Sequence, residues 1–289
     1  MPERAINPEE QEVISEVEGL LGRQLPSFDW FAGNRIFGYR VIRGSVFLLL
    51  VNNRNLCTLP ATIGHLYRLR VLDIGKNKFE SLPASLAQCT NLSQIYLGRN
   101  HFKEFPAVVL SLTNLKILEL QHNYLRSIPD ISSLTQLHRL SLQANQLVDF
   151  PAALTSLSNL QVLILDGNSM ETLPEDIGHL QALERLDLRD NQLASLPDSL
   201  ASCTNLRELD LSGNALVEFP DHLSQLPHLE QLNLNHNHIT TLDYDVLASF
   251  PHLDRLSLKG NPIDAQTMEK LEAFLRLLPQ DTIIEWSLQ

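Results

Sequence analysis

Cysteine is scarce. The chain has 289 residues and three cysteines, Cys57, Cys89 and Cys203, whose spacing makes neither a disulfide framework nor a CxxC metal site. Aromatic residues are only 6%, so aliphatic side chains must fill whatever core forms. No window reaches the roughly 18 consecutive apolar residues a membrane span requires, and no apolar N-terminal run marks a signal peptide. Net charge is −12. An acidic chain does not attract phosphate backbones as a whole, which weighs against general nucleic-acid binding. Gly-rich phosphate loops, GxSxG and HExxH are missing. The expectation is a monomer without cofactor, metal, nucleic acid or membrane partner.

What is present is leucine at a fixed period. LERLDLRDNQLASLP, from residue 183, recurs as LRVLDIGKNKFESLP from 69, LSQIYLGRNHFKEFP from 92, LKILELQHNYLRSIP from 115 and LHRLSLQANQLVDFP from 137. It continues as LQVLILDGNSMETLP from 160, LRELDLSGNALVEFP from 206, LEQLNLNHNHITTLD from 229 and LDRLSLKGNPI from 253. Each copy carries an asparagine: Asn77, Asn100, Asn123, Asn145, Asn168, Asn191, Asn214, Asn237 and Asn261. The period is 23 residues, with one step of 22 and a last step of 24. An earlier copy from 46 has Arg54 in the Asn position. Cys89 and Cys203 fall in QCTNL and SCTNL, where other copies place Leu112, Leu157 or Leu180. They read as small buried hydrophobes, reduced and therefore suited to a cytosolic setting.

LxxLxLxxNxL at constant period over residues 46–263 resembles the leucine-rich repeat family, in ten copies. The Leu-Pro after the asparagine resembles its 23-residue intracellular subclass, found in bacterial and archaeal proteins, plant Ras-group repeat proteins and animal Ras-pathway scaffolds. The resemblance implies an α/β solenoid, a curved horseshoe. Its parallel β-sheet lines the concave face, short 3₁₀ or irregular segments form the convex face, and helical caps close both ends. Extracellular members usually carry cysteine-clustered caps, which this chain lacks.

The physics of the repeat leads to the same place. Period-two alternation makes xLxLx a short strand with its leucines on one face. That face is buried only when each repeat stacks on the next. The asparagine both donates and accepts, so it can satisfy backbone groups of its own turn and of the neighbouring repeat. Arginine has no acceptor, so Arg54 cannot fully reproduce that role. Proline removes a donor and stops a second strand, leaving room for 3₁₀ turns. The two irregular steps, through SIPDISSLTQL (127–137) and LDYDVLASFPHL (242–253), change the outer segment.

Three regions follow: an N-terminal cap over 1–45, ten repeats over 46–263, and a C-terminal cap over 264–289. In the first, Asn7 caps a helix with Pro8 in its opening turn and an apolar face of Val13, Val17, Leu20 and Leu21. A hairpin turns at Arg43-Gly44, and its second strand is the first repeat strand. At the far end a helix runs from Asp264 to about Leu278, with Met268, Leu271, Phe274 and Leu275 inward, before an extended IIEW (283–286). Residues 33–71 hold six arginines (Arg35, Arg40, Arg43, Arg54, Arg68 and Arg70) and no acid, after a helix rich in glutamate. This is either a solvated cap with internal pairing or a place where an acidic partner docks.

The function expected is a non-catalytic scaffold holding a protein partner on the concave sheet. A bacterial effector acting on host proteins is the alternative, and an enzyme using carboxylates on the sheet a third. Alternation exposes Leu48, Leu50, Val71, Asp73, Gln94, Tyr96, Ile117 and Glu119, with Tyr124 just past the strand. Of these, Leu48, Leu50, Val71, Tyr96 and Ile117 should make an apolar patch, the kind of surface that marks interfaces. Val162 and Ile164 add a smaller one. Arg185, Asp187, Arg189, Glu208 and Asp210 make a mixed-charge field, which sets specificity more than affinity. Asp187 and Asp210 share a column, close enough for acid–base chemistry. They are more simply solvent-facing charges offset by Arg185 and Arg189. His101 and His122 sit near strand exits, and His228 and His252 fill equivalent turn slots, without further metal ligands in the same plane.

Overall fold

The computed structural model describes residues 6–28, 37–267, 269 and 283–285. The chain divides into two compact units, Met1–Ser141 and Leu142–Gln289.

The first unit opens with helix α1, Pro8–Leu21. Asn7 caps it by accepting from Glu9 N at 3.2 Å, and Gly22 ends it in the left-handed conformation. Its buried face is Glu10, Val13, Ile14 and Val17. Leu20, expected on that face, is exposed, while the acid Glu10 is fully buried. The reason is a specific bond: Val46 N donates to Glu10 Oε2 at 2.6 Å, which fastens the helix to the first repeat strand. Strands β1 (Gly38–Ile42) and β2 (Ser45–Leu50) form the expected hairpin about Arg43-Gly44. From β2 onward the pairing is parallel, through β3 (Val71–Asp73), β4 (Gln94–Tyr96), β5 (Ile117–Glu119) and β6 (Arg139–Ser141). Leu49, Leu72, Ile95, Leu118 and Leu140 stand in register down the middle of these strands, all fully buried.

The second unit repeats the scheme with β7 (Val162–Ile164), β8 (Arg185–Asp187), β9 (Glu208–Asp210), β10 (Gln231–Asn233), β11 (Arg255–Ser257) and β12 (Ile283–Glu285), each paired in parallel with the next. β12 is the extended piece read in IIEW. The expected inward residues Met268, Leu271, Phe274 and Leu275 lie outside the described residues.

Among the described residues, seven 3₁₀ helices of five residues each run opposite the strands, and each directly follows a proline: Pro60, Pro83, Pro106, Pro151, Pro174, Pro197 and Pro220. Proline fixes φ and has no N–H to leave unpaired at the start of the turn. The short step at 127–137 has no 3₁₀ helix, only turns that bury Ile131 and Leu134. The long step has enough chain for a true helical turn, α2 (Tyr244–Ser249), capped by Asp243, which accepts from Asp245 N.

The asparagine ladder forms. Asn100 Nδ2 donates to Leu97 O at 2.9 Å and to Ile74 O of the preceding repeat at 3.1 Å, while its Oδ1 accepts from Phe79 N at 3.1 Å. Asn168, Asn191, Asn214 and Asn237 do the same in the second unit. All nine ladder asparagines are buried. Arg54, in the first repeat, contributes only its backbone: its N–H and that of Leu56 both donate to Asn77 Oδ1.

Candidate functional site

Each strand presents two side chains away from the leucine core, so adjacent repeats line them up in columns. In the first unit one column reads Leu48, Val71, Gln94, Ile117 and Arg139, the other Leu50, Asp73, Tyr96, Glu119 and Ser141. Val71, Asp73, Tyr96, Ile117 and Glu119 are half-buried, and Tyr124 is exposed beside His101, their ring centroids 6.1 Å apart. Leu48 and Leu50 depart from expectation: they are only 3% and 6% exposed. Here β1 pairs along the outer edge of β2, bringing Arg40 opposite Leu48 and Gly38 opposite Leu50, and residues 26–28 bond to Tyr39 of β1 in turn. Flanked by chain on both sides, these leucines join the interior. The apolar patch is also interrupted. Gln94 separates Val71 from Ile117, and Tyr96 stands between Asp73 and Glu119 with its hydroxyl donating to Gln94 Oε1 at 3.0 Å. Burial first, then those two acids, holds the Tyr96 hydroxyl above its usual range.

Beside these columns lies a cavity of about 770 Å³ that strand alternation does not reveal. Its floor includes Gly75 and Gly98, two residues past Asp73 and Tyr96, and its rim carries Arg54, Lys76 and Arg99. A Cβ at Gly98 would come within 2.6 Å of Gln121 Cδ, so glycine there is what lets the Gln121 side chain lie against the strand exit. The signal was in the sequence: IGKN and LGRN, a glycine and a base before the ladder asparagine in consecutive repeats.

In the second unit Ile164, Asp187, Asp210, Asn233 and Ser257 share a column, as do Val162, Arg185, Glu208, Gln231 and Arg255. Val162, Ile164, Glu208 and Asp210 are half-buried and Arg185 exposed. Asp187 is not a solvent-facing charge: it is 2% exposed. Its Oδ1 accepts from Arg189 Nε at 2.9 Å, and Arg185 approaches its other oxygen at 3.9 Å. Arg189 also lies 3.7 Å from Asp210 and 3.6 Å from Asp166. One guanidinium thus gathers carboxylates from three adjacent repeats, and its own pKa is raised, chiefly by the bond to Asp187. Asp166 is the member the sequence reading missed. Burial holds its carboxyl above the usual range, with Asp187 adding to the effect and the Gln143 bond opposing it. Asp210 accepts from Ser212 and Asn233, and Arg185 pairs with Glu208 at 3.1 Å. The Asp187–Asp210 pair is occupied in holding its neighbours and does not stand open to a reactant.

Among the described residues no three His, Cys, Asp or Glu side chains group as a metal site would require. His228 and His252 stack at 6.4 Å, and Arg99 reaches His122 Nε2 at 3.2 Å. A second cavity, of about 740 Å³, opens on the 3₁₀ side among Leu196, Val217, Phe219 and His222. Burial lowers the His222 pKa, so its ring is neutral at pH 7. No described helix is long and apolar enough to cross a membrane.

Comparison with known proteins fits this geometry. The leucine rich repeat family model matches residues 135–193, 158–216 and 204–263, and the internalin InlF of Listeria monocytogenes superposes with a TM-score of 0.70. Residues 135–263 belong to the leucine-rich repeat family. The internalin match covers 83% of this chain and 68% of the internalin at 24% identity, a likeness of fold. Two other solved structures are more similar in sequence. The ectodomain of the Arabidopsis thaliana receptor kinase GASSHO1/SCHENGEN3, in complex with CASPARIAN STRIP INTEGRITY FACTOR 2, has a TM-score of 0.69 and 29% identity over 84% of this chain and 29% of its own. TLR13 in complex with ssRNA13 has 0.67 and 31% over 74% and 32%. The chain therefore spans about a third of each of these two larger molecules. No curated protein sequence matches it.

Proposed function

We propose that this chain is a non-catalytic interaction module whose strand face holds a protein partner. One observation carries the reading. Beyond the first repeat, most of the side chains that leave the strands away from the leucines stay at least partly exposed, and they stand in register from repeat to repeat within each unit. A surface built by repetition, with the leucines sealed behind it, is free to vary for recognition. The acids that would serve an enzyme, Asp187 and Asp210, are already bonded to Arg189, Ser212 and Asn233. The repeat fold commonly mediates protein–protein interaction, and one of the similar ectodomains was solved with a bound factor. A monomer working in a reducing compartment, where its thiols stay free, belongs to the same proposal.

Affinity capture followed by mass spectrometry identifies the partner, and surface variants then locate it. Tyr96→Ala should weaken binding by about 2 kcal/mol if the tyrosine is a hot spot, and Arg185→Glu should change the salt dependence of association. If both bind like wild type while Glu175→Arg on the 3₁₀ side abolishes binding, the strand face is not the site.

A further inference from the structure

The cavity beside β3, β4 and β5 has an unbalanced set of charges. Its two acids are already engaged. Asp73 accepts from Gly75 N at 2.9 Å and from the Asn52 amide, and Glu119 pairs with Arg139 at 3.1 Å. Its three bases pair with no acid among the described residues, although Arg99 also reaches His122 Nε2 at 3.2 Å. Lys76 and Arg99 are exposed and form no ion pair among the described residues. Arg54 stacks on Phe37 at 4.0 Å and donates to a backbone carbonyl, and it forms no ion pair among the described residues. The charge left over for a ligand is positive, in a chain whose net charge is −12.

The shape narrows the ligand further. Lys76 and Arg99 hold the same position of adjacent repeats, so their backbones stand roughly 5 Å apart, and Arg54, one residue past the equivalent Asn53, adds a third cation from the preceding repeat. The backbone amides that a single phosphoryl group would need are already used: Asn53, Lys76 and Arg99 N–H all donate to carbonyls of the next repeat. What remains is a row of side-chain cations along a cavity that Gly75 and Gly98 also line. In an extended peptide, carboxylates two residues apart are separated by roughly 7 Å, which such a row can engage together.

We propose that this cavity is the docking site for an extended acidic segment of the protein partner, with Lys76 and Arg99 binding its carboxylates and Arg54 completing the row. This rests on the strand face being the partner-binding surface and adds the chemistry of what it binds. Charge-assisted bonds to carboxylates are short and strong, and here they form in a recess.

The test is direct and needs no partner. A fluorescent peptide of about eight residues alternating aspartate and glycine, acetylated and amidated, is titrated against the full chain at low salt. An asparagine version and inorganic phosphate serve as the other arms. The aspartate peptide should bind wild type and the asparagine peptide should not. The Lys76→Gln/Arg99→Gln double variant should weaken the aspartate peptide at least about tenfold. Lys78→Gln/Lys103→Gln, which removes the same charge outside the cavity, should leave it unchanged. Absence of aspartate-peptide binding, equal binding by the asparagine version, or equal losses in the two double variants overturns the assignment. Phosphate binding that depends on Lys76 and Arg99 while the peptide does not bind would make this a small-anion site instead. None of those results touches partner capture through Tyr96 or Arg185, so the broader reading stands or falls separately.

Discussion

At the scale of the residue, the ladder asparagines carry more of the fold than their size suggests. Asn168 bonds backbone groups of two repeats from a buried position, and alanine would leave those groups unsatisfied at a cost of roughly 1–3 kcal/mol. Arg54→Ala removes only a surface cation–π contact and one backbone bond. Urea denaturation should therefore place the Asn168→Ala midpoint below that of Arg54→Ala; equal midpoints would refute the ladder's role. The cysteines make a parallel case. Burial pushes the Cys89 thiol up to about 12 and that of Cys203 up to about 11, and both donate to carbonyls, of Ile63 and Ile177, at 3.3 Å. The thiolate is the reactive form, so only exposed Cys57 should label in native buffer, with the other two appearing when denaturant is added. These residues were legible because each repeat comments on the others: a cysteine in a leucine slot is read against its nine counterparts. Asp187 was not. Alternation tells which side of the sheet a side chain leaves, but its burial depends on Arg189 and on how closely adjacent repeats crowd it, which period alone does not report.

At the scale of the element, helix α1 and the hairpin depend on Glu10. Burial holds its carboxyl above the usual range, only partly offset by the bond from Val46 N–H. The folded protein therefore keeps that proton more tightly than the unfolded chain does. Its contribution to stability is greatest below the ordinary carboxylate pKa and declines as pH rises through the folded-state value. Glu10→Gln cannot titrate, so its denaturation midpoint should gain on wild type as pH is raised across that window; a constant difference from pH 4 to pH 8 would show that Glu10 does not titrate on folding. The helix, its cap and the hairpin turn could all be read from Asn7, Pro8 and Arg43-Gly44. Its buried face was misread because an acid was assumed to face water, whereas Glu10 is held inside by a strand N–H that lies 36 residues further on.

At the scale of the whole molecule, charge is sorted along the chain. Met1–Ser141 has 15 Lys and Arg against 12 Asp and Glu, while Leu142–Gln289 has 7 against 22. The first unit is therefore weakly basic and the second carries nearly all the acid excess. Like charges repel within a compact body and salt screens them. Raising sodium chloride from about 20 to 500 mM should slow backbone hydrogen exchange in the second unit more than in the first. A uniform response would mean that local ion pairs such as Arg189 with its three carboxylates already neutralise the excess. The repeat architecture was fully legible at this scale, because ten copies of one pattern leave little else to build. The proposed contact surface was only partly legible: its columns follow from alternation, but the cavity beside them lies just beyond the strands.

The residue just before each ladder asparagine, or before Arg54 in the first repeat, has a positive φ: Asn53, Lys76, Arg99, His122, Ala144, Gly167, Asp190, Gly213, His236 and Gly260. Left-handed backbone costs a non-glycine residue roughly 1 kcal/mol. Nature has nonetheless kept side chains at seven of these ten places, and two of them are the cations on the cavity rim. Selection for folding alone would drift this column toward glycine. Lys76→Gly and Arg99→Gly should then melt no lower than the parent protein, while losing the acidic peptide. A column where the more stable residue is the less useful one is where descendants of this gene would be expected to differ when they change partners.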